Sequence, residues 1–107
     1  MPTNPTTPPS GTYSSTGDTD SSWDGSFTYD STTKAISYTR DNAPVGPFSA
    51  TNQDNGNALN FRINDGTQTA HFVGNTFAWK GSDAEYKGRW NDNDGQVQDG
   101  WTATQTS

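Results

Sequence analysis

From Trp23 onward, apolar side chains recur at every second position, and no other feature of the sequence restricts the fold as much. Trp23, Gly25, Phe27 and Tyr29 share one face, against Asp24, Ser26 and Thr28 on the other. Ile36 and Tyr38 follow, then Phe48 and Ala50, then Leu59, Phe61 and Ile63 against Asn60, Arg62 and Asn64. Ala70 and Phe72 oppose His71 and Val73, and Phe77 and Trp79 oppose Ala78 and Lys80. Ala84, Tyr86, Gly88 and Trp90 oppose Glu85, Lys87 and Arg89, and Val97, Asp99, Trp101 and Ala103 make the last row. Side chains alternate across a strand, so each row reads as a strand with one buried and one wet face.

Turn chemistry separates the rows. Asn55-Gly56 and Asp65-Gly66 suit the positive φ of tight hairpins. Val73 to Thr76, Lys80 to Asp83 and Asn91 to Gly95 read as further breaks. Asp41 to Pro47 holds two prolines and reads as a longer loop, because proline cannot donate to a central ladder. Short strands with a turn every 8–12 residues or so imply an antiparallel meander. The expected fold is therefore all-β: a small antiparallel up-and-down meander of about eight short strands. It closes as a barrel or as a tightly rolled sandwich, either of which removes exposed edges.

The core has to be aromatic. Leu, Ile, Val and Phe together supply 11 of 107 residues, too few for an aliphatic core. The thirteen aromatic residues compensate, since each ring can bury roughly 150–250 Å². "SSWDGSF" and "AEYKGRW" share an aromatic-x-Gly-x-aromatic pattern on one face. Gly25 and Gly88 then serve curvature, with flanking rings covering the missing side chain.

Pro2, Pro5, Pro8 and Pro9 are expected to hold the N-terminus extended. Residues 14–22 are Ser, Thr, Gly and Asp with the single aromatic Tyr13 just before them. The expected division is a flexible Pro/Thr/Ser-rich tail or linker over residues 1–22 and an aromatic-cored domain over 23–107. Such a linker is typical of secreted multidomain proteins, which points to an extracellular setting. The N-terminus has no apolar core of a secretory signal, and no apolar run is long enough to span a membrane as a helix.

The net charge is −6, carried by eleven Asp and one Glu, and the six basic residues form no stripe in the sequence. Phosphate neutralisation on a nucleic acid needs such a stripe, so that partner is not expected. There is no Cys, hence no disulfide, no thiol chemistry and no Cys-ligated metal.

The stretch Asn91 to Gly95 resembles a calcium loop in composition. With Gly95 at the sixth loop position, however, Trp90 and Trp101 fall where the first and twelfth ligands belong. A polar hairpin is expected instead, with no obligatory metal. His71 and Glu85 are each the only residue of their type, and neither has a positioned partner in the sequence for acid–base work. No catalytic motif is present, and no cofactor is expected.

The combination that stands out is aromatic rings beside amides and carboxylates. Sugars stack their C–H faces on rings and bond their hydroxyls to Asn, Asp and Gln. Trp79, Trp90 and Trp101 lie near strand ends, and Asn91, Asp92, Asn93 and Asp94 follow Trp90 directly. These seven residues are the expected ligand-binding set of a non-catalytic, lectin-like module. The partner would be a glycan or another small polar ligand, with self-association open to it. The alternative is a structural, adhesion or assembly domain whose aromatics are only core.

"TFAWK", "SDAEYKGRW" and "VQDGWTAT" resemble the closing strands of avidin-like biotin-binding barrels, and "GTY" at residues 11–13 is similar to a G-T-W of that family. The resemblance implies a barrel, with Trp79 and Trp101 at ligand-facing positions and Ser82 as a polar contact. Ala84 stands where the family has a polar Thr. A small-ligand barrel is thus a third reading.

Overall fold

The computed structural model describes residues 8–92 and 98–107. Eight strands follow one another in the chain: β1 (Gly11–Gly17), β2 (Gly25–Tyr29), β3 (Ala35–Arg40), β4 (Phe48–Thr51), β5 (Leu59–Asn64), β6 (Thr69–Lys80), β7 (Asp83–Asn91) and β8 (Gln98–Gln105). They form one antiparallel sheet in the order β4-β3-β2-β1-β8-β7-β6-β5. Every pair except β1–β8 is consecutive in sequence, so this is an up-and-down meander whose first and last strands are joined by hydrogen bonds.

The two ends of the sheet, β4 and β5, meet at a seam held by one side chain. Asn52, immediately after β4, is buried. Its Nδ2 donates to the Ala58 carbonyl at 2.9 Å, and its Oδ1 accepts from the Asn60 backbone N–H at 2.7 Å. The Gln53 N–H adds a bond to the Asn60 carbonyl at 2.7 Å. An amide carries one acceptor and two donors, so Asn52 stands in for a stretch of ladder and nearly closes the barrel.

The alternation read from the sequence is the inside–outside pattern of this wall. Phe27, Tyr38, Phe61, Phe72 and Trp101 converge in the interior, with neighbouring ring centroids 5.2–6.3 Å apart. Trp23 lies ahead of β2 and packs edge-on against Tyr38 and Phe72. The Arg40 guanidinium covers its other side, 4.0 Å from the ring centre, and pairs with Asp65 at 3.0 Å.

Two boundaries differ from the sequence expectation. Residues 11–17 belong to the expected flexible tail, yet they form β1, a strand paired on both sides. Only Tyr13 among them is strongly apolar, so periodicity alone could not reveal the strand; Ser15, the other inward residue, is buried by a hydrogen-bond network. Pro8 is buried too, and the Pro9 carbonyl accepts from the Tyr13 hydroxyl at 2.6 Å. The expected break at Val73 to Thr76 is a register shift inside β6, and the two expected strands around it are one. Gly74 faces Gly88 just before that shift. Of the expected hairpin at residues 91–95, residues 93–95 lie outside the described residues.

Candidate functional site

The aromatic residues of the expected binding set are mostly interior. Trp90 is 2 % and Trp101 1 % exposed, and Trp23 is likewise buried at 2 %. Trp90 stacks on Phe72 at 6.2 Å. Trp101 donates its indole N–H to Ser15 Oγ at 2.8 Å. Trp79 is half-buried near the β6–β7 turn and meets Phe77 edge-on at 5.0 Å. Its indole nitrogen is buried without a hydrogen-bond partner, as is the Tyr29 hydroxyl. Asn91 ends β7 and donates to the Asp92 carbonyl at 3.1 Å. Asn93 and Asp94 lie outside the described residues. Ser82 is exposed in the β6–β7 turn, and Ala84 is buried. The structure therefore separates these residues: Trp90 and Trp101 fill the barrel, Trp79 sits near the β6–β7 turn, and Asn91 and Asp92 lie at the opposite end of β7. Among the described residues, no group of three or more His, Asp or Glu is arranged to hold a metal ion.

A different feature gathers polar chemistry on the outside. Strands β1, β2, β3 and β8 bury alternate residues and carry hydroxyls on the other face. On β1, Ser14 and Thr16 flank the buried Ser15; on β8, Thr102 and Thr104 flank the buried Ala103. The register sets Ser14 opposite Thr104, Thr16 opposite Thr102, and Glu85 of β7 opposite Thr104. The rows extend around the wall, from Ser14 to Ser26 to Thr39 and from Thr12 to Thr28 to Ser37 to Ser49. Cross-strand neighbours on one face are within reach of a single ligand.

Where β1, β7 and β8 pass the β6–β7 turn, the wall is hollowed into an open depression of about 860 Å³. Hydroxyls of Ser14, Thr16, Thr102 and Thr104 line it together with Lys80, Asp83, Glu85 and Gln105. Thr104 donates to Glu85 Oε2 at 3.3 Å, while Ser14 and Thr16 make only long contacts to backbone carbonyls, 3.4 and 3.5 Å. Such hydroxyls keep acceptor capacity for an incoming ligand. The sequence reading passes over these residues because it assigns half of them to the tail. The available signal was the alternation of Ser and Thr with Tyr13, Trp101 and Ala103.

The remaining polar order is structural. Asp99 accepts from the Thr19 and Asp20 N–H groups and from the Thr19 hydroxyl, each at 2.9 Å, which fixes the β1–β2 loop. Those bonds, the Asp20 N–H first, hold its carboxyl below the ordinary carboxylate range. Compared with protein-family models, curated proteins and solved structures, the chain matches none.

Proposed function

We propose that this barrel is a non-catalytic binding module for a polyhydroxylated ligand, carbohydrate in the first place, and that the ligand docks on the depression between β1, β7, β8 and the β6–β7 turn. The observation that carries this reading is the convergence there of five hydroxyl side chains, Thr106 included, with carboxylates, an amide and an amine in one concave patch. Each class matches a sugar: hydroxyls and amides both donate and accept, and carboxylates accept from paired sugar hydroxyls. Open, wet surfaces of this kind bind without deep burial, and bridging water adds to direct bonds.

The test is a glycan array with the intact chain, repeated with a Thr102→Val/Thr104→Val variant. Valine keeps the β-branched shape and removes both hydroxyls. At about 1 kcal/mol per hydrogen bond, the double variant should bind about tenfold or more weaker while melting like the parent. An array without hits, or equal binding by the variant, overturns the proposal.

A second reading is a structural or assembly domain. It is favoured by the burial of Trp23, Trp90 and Trp101, which leaves those rings to the core.

A further inference from the structure

On the opposite side of β7 from β8 lies a strip of a different character. Its centre is His71 on β6, which the register places opposite Arg62 of β5 and opposite Asn91 of β7. Arg89 of β7 sits opposite Val73, the next outward residue of β6. Val73 faces out yet is only 8 % exposed. Long arginine stems cover apolar positions of this kind while the charged head stays wet. Arg62 and Arg89 are both exposed.

The charges on this strip are out of balance with the molecule. The chain has twice as many acidic as basic residues, and Lys34, Arg40 and Lys87 each have a carboxylate partner, Asp54, Asp65 and Glu85. No ion pair among the described residues involves Arg62 or Arg89. Two guanidiniums near one imidazole repel a third positive charge. His71 accordingly titrates below the ordinary histidine range, first because burial penalises the imidazolium, then because of Arg62 and Arg89. Like charges brought together across a sheet are unfavourable, so two guanidiniums with no ion pair among the described residues leave a place for an anion.

The neighbouring groups are amides. Asn60 Oδ1 lies 2.6 Å from His71 Nε2 and fixes the ring, and Asn91 stands on the other side. Asp92, one residue beyond Asn91, borders the strip. Guanidiniums grip the two oxygens of a carboxylate or sulfate in a planar fork, and amides bond hydroxyls. We infer that the outer strip Arg62–His71–Arg89, with Asn60 and Asn91, is an oxyanion site for an acidic saccharide carrying carboxylate or sulfate groups. This site lies apart from the hydroxyl-lined depression and does not rest on it.

The experiment titrates the full chain with oligogalacturonate, with its methyl-esterified form, and with inorganic sulfate, at low salt and at about 1 M salt, where the Debye length is roughly 3 Å. Binding is followed calorimetrically and by the His71 ring resonances. The free acid should bind, the neutral ester should bind at least about tenfold more weakly, and salt should abolish the difference. Bound oxyanion should move the His71 titration midpoint upward. Arg62→Gln and Arg89→Gln should each weaken binding by about tenfold or more, as expected for charged hydrogen bonds, with the melting curve unchanged. The Thr102→Val/Thr104→Val variant should bind the acidic saccharide like the parent, which separates this site from the depression. Equal binding of acid and ester overturns the oxyanion role. Sulfate binding as tightly as the oligosaccharide overturns the saccharide assignment, and no binding overturns both.

Discussion

The indole N–H of Trp101 donates to the hydroxyl of Ser15 at 2.8 Å in the interior of the barrel, joining the first strand to the last. Ser15 Oγ lies 2.7 Å from the Tyr38 hydroxyl, which in turn donates to the Trp23 carbonyl. With the Tyr38 proton used there, Ser15 donates to Tyr38, and the chain of bonds runs one way with each of its links satisfied. A polar group buried in an aromatic core needs that closure. Ser15→Ala leaves the buried Trp101 N–H without its acceptor, at a cost of about 1–3 kcal/mol for an unsatisfied buried donor. The expected thermal melt falls on the order of 10 °C. An unchanged melt would mean that water or another group replaces Ser15.

Gly88 permits a close approach of two strands. A Cβ at this position would run into the Val73 carbonyl, a backbone atom that cannot swing aside. Gly88→Val should therefore destabilise by about 1–3 kcal/mol, the usual range for overpacking. Sequence alone suggests that a side chain here would displace Tyr86 and Trp90; the obstruction found is the facing backbone. Denaturant unfolding measures the difference directly, and a variant as stable as the parent sinks the claim.

Burial raises the pKa of Tyr13, Tyr38 and Tyr86 above the ordinary value of 10.0, that of Tyr86 to about 12. A group whose pKa is raised in the fold contributes stability that is complete below its unfolded pKa. That contribution is lost as pH rises from about 10 through the folded values. Tyrosinate absorbance and circular dichroism, followed together above pH 10, should change in one coincident transition. Early tyrosinate signal from Tyr13, Tyr38 or Tyr86 in an intact fold would contradict the burial.

The N-terminal ten residues are expected from composition to be dispensable. The structure reverses this, because Pro8 is buried and Pro9 supplies the acceptor for the Tyr13 hydroxyl. Deleting residues 1–10 should lower Tm by several degrees, the scale of one lost buried hydrogen bond with its packing. A truncated chain that melts within about 2 °C of the parent would restore the composition-based view.

Asp92 and Asp94 are expected to belong to a turn that needs no metal. EDTA should leave the melting temperature of the parent and of an Asp92→Ala/Asp94→Ala variant unchanged. A fall of about 10 °C in the parent alone would reveal a cation stabilising the fold by mass action.

The sequence by itself determined the strand class, which side chains share a face within each strand, and the need for an aromatic core. These follow from period-two alternation and from the shortage of Leu, Ile and Val, and neither depends on which strands meet. Even the number eight is legible, although β1 goes unread and β6 is read as two strands: β1 is hidden by its Ser and Thr, and the shift near Gly74 imitates a turn. Only the tertiary structure decided that the sheet curls into a barrel, because closure depends on Asn52 reaching residues 58 and 60 across the seam. It also decided which side each tryptophan serves. Alternation says that Trp90 and Trp101 share faces with other large residues, but a face becomes interior only when the sheet curls around it. The same curling carries Ser14, Thr16, Thr102 and Thr104 from distant parts of the chain onto one outer surface. Local alternation places each hydroxyl on an outer face, but nothing local shows that the two strands adjoin; their meeting is a consequence of the β1–β8 pairing.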